Sequence, residues 1–170
     1  FPVNAHANAV ANKKALYRFA ISADKFKSAG MVADPICLLD CATMADGAAA
    51  VIISATPVPA AGRVVRVAGS GVASDTLALH ARADMLDLAA IRLAAQRALT
   101  QAGCAMQDIQ VWDIDDAHGI CAVLALEAMG VTPRGSGTTL GSTGAIRPDG
   151  SVPLALAGGS KARGDVVGAL

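Results

Sequence analysis

The segment from Ala117 to Met129 constrains this chain more than any other, because almost every residue in it is apolar and Gly130 follows as a stop. A helix with one apolar stripe needs one neighbour, whereas a helix that is apolar all round must be covered on every side. Such a helix implies layers of sheet above and below it. The flanking pattern agrees. Arg63 to Gly69 reads as a strand, and Asp84 is placed to cap a long helix that runs to Ala102. That helix gathers Leu88, Ile91, Ala95, Ala98 and Leu99 on one face and ends at Gly103. Ile109 to Ile114 reads as the next strand, with a turn beginning at Asp115-Asp116, and Val152 to Leu156 as a last one. Between Thr132 and Gly150 the chain is Gly- and Ser-rich loop. Strand, helix, strand, buried helix, loop, strand is an α/β order.

The first third reads less regularly. Asn4 to Phe19 is Ala-rich and is expected to be helical. Ser22 is a suitable N-cap for a short helix ending near Gly30, Asp34-Pro35 breaks the chain, and Pro35 to Asp40 suits an extended segment. Ala48 to Ala55 is a continuous apolar run, as expected of a strand buried on both faces. Pro57 to Gly62 reads as a linker and the expected domain boundary, with one unit over 1–57 and another over 63–170.

Composition narrows the function classes. Apolar residues make up 54% and aromatics 3%, and much of the apolar content is Ala, which with Gly lets layers pack closely. Fourteen basic and fourteen acidic side chains cancel, and no basic stripe offers a nucleic acid an electrostatic footprint. No apolar run reaches the roughly 18 residues of a membrane span. The N-terminus lacks a signal-peptide layout. Cys37, Cys41, Cys104 and Cys121 lack paired metal spacing and read as buried free thiols of a reducing, cytoplasmic compartment; no metal site is expected. The chain begins at Phe1 and stops after a Gly-rich loop, so it is expected to be a piece of something longer.

Five stretches taken together resemble a known family. They are Val3-Asn4-Ala5-His6-Ala7-Asn8-Ala9 with Asn12; Ala33-Asp34-Pro35 running on to Asp46-Gly47-Ala48; and Gly69-Ser70-Gly71 through Leu77. The other two are Asp116-Ala117 leading into Leu124 to Gly130, and Gly158-Gly159-Ser160-Lys161-Ala162-Arg163-Gly164 followed by Val167-Gly168-Ala169. In this order and spacing they resemble a thiolase, on the branch of lipid-carrier-type and archaeal thiolases. The resemblance implies a partial thiolase-like layered αβαβα fold: the end of the N-terminal half, with part of its substrate-binding loop region, then the start of the C-terminal half. It implies an acyl-CoA C-acyltransferase of lipid metabolism, with a coenzyme A thioester as substrate and no bound cofactor. It also implies a homo-oligomer or a thiolase-like or OB-fold partner subunit. The family's nucleophilic cysteine would precede Phe1 and its acid/base cysteine would follow Leu170.

The resemblance also places the site, and there the chain departs from the family. Where the branch has a His-Asp-Ala-Phe turn, this chain has Asp115-Asp116-Ala117-His118; where it has Gly-His-Pro, this chain has Gly164-Asp165-Val166. Both catalytic His positions are therefore Asp, at Asp115 and Asp165, and the Phe position is His118. An Asn that usually precedes the double glycine is Ala155. An ionised carboxylate only accepts hydrogen bonds, so it opposes an oxyanion unless it is protonated. His118 reads either as a displaced acid/base or oxyanion donor, or as a histidine filling an aromatic slot. Ala117, Gly158, Gly159 and Lys161 are expected at the substrate, with Lys161 and Arg163 facing coenzyme A phosphates. His6 is expected at the surface or a subunit contact. Three functions stay open: a thiolase with altered donors, a retro-aldolase-type relative, and a non-catalytic subunit that binds acyl-CoA or a partner.

Overall fold

A computed structural model describes residues 1–56 and 64–168. The chain runs through α1 (Pro2–Ala9), α2 (Ala23–Lys27), the strands β1 (Met31–Ala33) and β2 (Ile36–Cys37), α3 (Ala89–Ala102), α4 (Gly119–Met129), α5 (Gly137–Ser142) and α6 (Gly159–Arg163).

The nearly all-apolar helix is α4, broken only by Glu127, and it is the core helix. Leu126 and Ala122 are fully buried, and Leu126 packs with Ile146, Val152, Leu154 and Ala155. Trp112, Ile114 and Met129 close the cluster from the sides. Gly130 ends the helix in a left-handed conformation at φ +82°, and Gly103 ends α3 the same way at φ +67°. α3 and α5 both pack on α4. Segment 69–71 lies against α3 so closely that a Cβ on Gly71 would stand 2.0 Å from the Ala94 carbonyl oxygen. Ser22 caps α2 as expected, its Oγ accepting from the Lys25 amide at 3.1 Å.

α1 is shorter than expected. It ends at Ala9 because Asn12 turns its side chain out to the Ala157 carbonyl, at 2.8 Å, and the chain then runs beside α6. There the Leu16 and Tyr17 amides donate to the Arg163 and Ala162 carbonyls at 3.2 and 2.9 Å. Asn4, Asn8 and Asn12 lie four apart on one face of this stretch. Asn4 and Asn8 both donate to the Leu154 carbonyl at 3.1 Å, and Asn8 also to that of Ala155. α1 thus grips the backbone of 154–157, and Ala9 packs with Ala162 behind it.

Asp84 does not cap α3, which begins at Ala89 after Leu88; its carboxylate pairs instead with Arg134 and accepts from the Leu86 amide. Pro35 to Asp40 is extended only over β2 and then tightens into a 3₁₀ turn at Leu38–Asp40.

The expected strands differ most from observation. Among the described residues the sheet is the antiparallel pair β1–β2, supplemented by single bridges between Cys41 and His118, Met44 and Asp165, and Trp112 and Leu154. Ala48 to Ala55 forms no strand, and Val51, Ile52 and Ile53 are 82%, 97% and 81% exposed. Val64 to Gly69 is likewise irregular, and the 109–114 and 152–156 segments meet only at the Trp112–Leu154 bridge. A strand is made by its neighbours' hydrogen bonds, and these runs have no ladder partner among the described residues. The boundary expected over Pro57 to Gly62 lies outside the described residues. No helix among them is long and apolar enough to cross a membrane.

Candidate functional site

Three segments meet at one open cleft of about 400 Å³. Asp113, Ile114 and Asp115 form one wall, Ser160 and Arg163 of α6 a second, and Asp165, Val167 and Gly168 the third. Asp115 and Asp165, fifty positions apart, therefore line the same space. Each is held by a short turn of its own: Asp115 Oδ1 accepts from the Ala117 amide at 2.9 Å, and Asp165 Oδ1 from the Val167 amide at 2.9 Å. The backbone of Asp165 is fixed from behind by the 43–45 segment. Its amide donates to the Thr43 carbonyl at 2.8 Å, and its carbonyl accepts from the Ala45 amide at 2.9 Å. At the rim, Val167 sits at φ +54°, a conformation β-branched residues rarely take.

The other expected site residues are placed differently. His118 is exposed, stands at the N-cap of α4 beside Cys41, and does not line the cleft. The Ala117 carbonyl accepts from the Ala42 amide at 2.7 Å and from Lys161 Nζ at 3.5 Å. Lys161 does not face solvent where a coenzyme A phosphate would lie: it is 2% exposed, and its ammonium also donates to the Asp40 carbonyl. Burial lowers its pKa, against the raising influence of Asp116 and Asp40. The double glycine admits close approach, but of the protein's own groups. A Cβ on Gly158 would meet that of Ala9 at 2.7 Å, and one on Gly159 would meet Asp116 Oδ2 at 2.3 Å.

Asp116 has a place that sequence reasoning missed. It is 3% exposed, and its Oδ1 accepts from the Ser160 amide at 2.6 Å, tying the start of α6 to the approach to α4. Burial pushes its carboxyl up from the usual carboxylate range, while the Ser160 hydrogen bonds and Lys161 pull it down. The available signal was a carboxylate set immediately before a nearly all-apolar helix, where burial demands a partner. His6 is not at the surface. It is 3% exposed, stacked on Tyr17 at 6.0 Å and beside Phe19 at 5.5 Å, with Nδ1 3.2 Å from the Phe19 carbonyl oxygen. Burial lowers its pKa.

With the core helix α4, the glycine-rich turn tied to its N-terminus and the cleft in place, the chain can be compared with known proteins. A family model described as Thiolase C-terminal domain-like matches residues 71–169, more than half of the chain. The chain therefore belongs to the thiolase superfamily, in its C-terminal domain-like family. It is 36% identical over 166 residues to an acetyl-CoA acetyltransferase of Methanothermobacter thermautotrophicus, a match spanning 96% of this chain and 43% of the relative. An acetyl-CoA acetyltransferase of Methanocaldococcus jannaschii is 30% identical over 170 residues, again with 96% and 43% coverage. The chain thus spans less than half the length of these relatives. A solved chain of the Ltp2-ChsH2(DUF35) aldolase superposes with a TM-score of 0.79 at 19% identity, over 99% of this chain and 46% of that one. At that identity the likeness speaks for the fold.

Proposed function

We propose that the full-length protein is a thiolase-like enzyme of acyl-CoA carbon–carbon bond chemistry, of the acetyl-CoA acetyltransferase type, and that a substrate thioester oxygen enters the cleft between Asp115 and Asp165. The supporting observation is that these two positions, which the family resemblance assigns to oxyanion donors, line one cleft although far apart in sequence. In this reading the coenzyme A thioester is the substrate, and the exposed apolar runs complete the layered αβαβα arrangement with further sheet. A second copy or an OB-fold subunit is the partner.

The substitution of both histidines favours a second reading within the same chemistry. Retro-aldol cleavage of a β-hydroxyacyl thioester needs a base for the hydroxyl proton and no acyl-cysteine, and a carboxylate is a suitable base. Thiolysis needs donors at the oxygen, which two ionised carboxylates do not supply.

The test assays the full-length protein with acetoacetyl-CoA plus coenzyme A, and separately with a β-hydroxyacyl-CoA. Carbon–carbon cleavage of either supports the proposal, and the preferred substrate tells thiolase from aldolase. In a protein that retains its nucleophilic cysteine, Asp115→His with Asp165→His is expected to raise thiolysis about a hundred- to a thousand-fold. A folded double variant with unchanged thiolysis overturns the donor assignment. Calorimetry with acetyl-CoA and with acetate checks recognition of the thioester; equal or absent binding of the two overturns the proposal.

A further inference from the structure

Arg163 is the one cationic side chain among the described residues that line the cleft. Its side chain is 18% exposed, and its nearest anionic partner is Asp113, with Nη1 3.7 Å from Oδ2. That separation is an ion pair without a hydrogen bond. Asp113 is itself 55% exposed and so is well solvated. The Nε of Arg163 is buried with no hydrogen-bond partner among the described residues. A buried unpaired donor costs about 1–3 kcal/mol and calls for an explanation. The neighbouring Lys161 supplies a contrast, since its ammonium is buried on backbone carbonyls and is committed to the fold.

We infer that Arg163 is the substrate-binding donor of this cleft and that its guanidinium takes the carbonyl oxygen of a bound thioester, in place of the two absent histidines. The inference rests on the reading of the cleft as a thioester site and adds the residue that does the binding. A guanidinium stays charged at any working pH and presents several N–H groups in a fixed plane. It thus meets an oxygen gaining negative charge without first needing a proton, as an aspartate would. Asp115 and Asp165 then flank the acyl group as acceptors, and Asp113 competes weakly for the cation.

The test uses acetoacetyl-CoA and the full-length protein, and reads no turnover. The carbon between the two carbonyls of this probe loses its proton to solvent base. The electron pair left behind moves onto the carbonyl oxygen, and the resulting enolate has its own near-ultraviolet band. Bound probe is expected to show that band at a pH where free probe does not. Arg163→Gln is expected to abolish the band and weaken binding by calorimetry about tenfold or more. Arg163→Lys keeps a cation and is expected to recover part of the band, and Asp113→Asn removes the competitor and is expected to strengthen it. Equal unfolding midpoints for the variants and the native protein exclude a folding defect. If midpoints fall in Arg163→Gln, the Arg163→Lys and Asp113→Asn comparisons decide. Probe bound without an enolate band, or a band indifferent to both substitutions of Arg163 and to Asp113→Asn, overturns the inference while leaving the thioester site in place. Absence of binding overturns both.

Discussion

At Gly159 two requirements coincide: φ is +56°, and an added Cβ would lie 2.3 Å from Asp116 Oδ2. Gly103 meets the first requirement alone, at φ +67° with nothing within 4 Å of its added Cβ. Gly103→Ala should therefore cost about 1–2 kcal/mol, the price of a left-handed L-residue. Gly159→Ala should cost about 3 kcal/mol or more, since it also displaces a charge-assisted hydrogen bond. Urea unfolding of the two variants of the full-length protein checks the order, and equal losses would show that the Asp116 contact contributes nothing. His6 gives a pH dependence. Its folded pKa lies below the ordinary value of 6.5, so between the two the unfolded chain carries more protons. Stability rises with pH across that window and is lost as pH falls through it. Asp116 acts in the opposite sense. Its folded pKa is raised above 3.8, so its contribution falls as pH rises through that window. Unfolding midpoints between pH 7.5 and 5.5 are expected to fall in the native protein and to stay flatter in His6→Gln; parallel profiles exclude His6 as the titrating group. At this scale the family resemblance singled out Asp115 and Asp165, and the two line one cleft. It gave Asp116 no role and placed Arg163 at coenzyme A phosphates, because the burial of Asp116 and the unpaired Nε of Arg163 are properties of the packed chain.

Among the elements, α4 carries the clearest contrast between two faces of one helix. Leu126 is fully buried, whereas Ile120 on the same helix is 49% exposed. Leu126→Ala should cost about 2–5 kcal/mol and Ile120→Ala within about 1 kcal/mol, by thermal or urea unfolding. Comparable losses would mean that the outer face of α4 is also covered in the full-length protein. Helices were more legible than strands, for local reasons, although Thr132 to Gly150, expected as loop, contains α5. α2 announces itself by Ser22, and α3 and α4 end at Gly103 and Gly130, whereas the composition of α4 implied cover on every side and Ile120 stands 49% exposed. The strands were less legible. Ala48 to Ala55 has the composition of a buried strand, but a strand exists only where another backbone answers its hydrogen bonds. Asp84 misled for a related reason: Arg134, fifty positions on, competes for its carboxylate.

For the molecule as a whole, the exposed apolar side chains set the behaviour. Val51, Ile52 and Ile53 stand open, as do Val65 at 80%, Val72 at 82% and Leu77 at 96%. Apolar surface on this scale marks a face to be covered. Residues 1–170 expressed alone are expected to self-associate at moderate concentration in size-exclusion chromatography. Ile52→Lys with Leu77→Lys should shift them toward the monomer. A native chain that elutes as a monomer and unfolds in one sharp transition would contradict this. The attachment of α1 works on another principle. Asn4, Asn8 and Asn12 donate to the carbonyl oxygens of Leu154, Ala155 and Ala157, groups that every residue possesses whatever its side chain. The clamp therefore reads backbone and not side chains: it sets where the segment leading into α6 lies, while the burial of Leu154 and Ala155 against Leu126 separately limits which side chains that segment can carry.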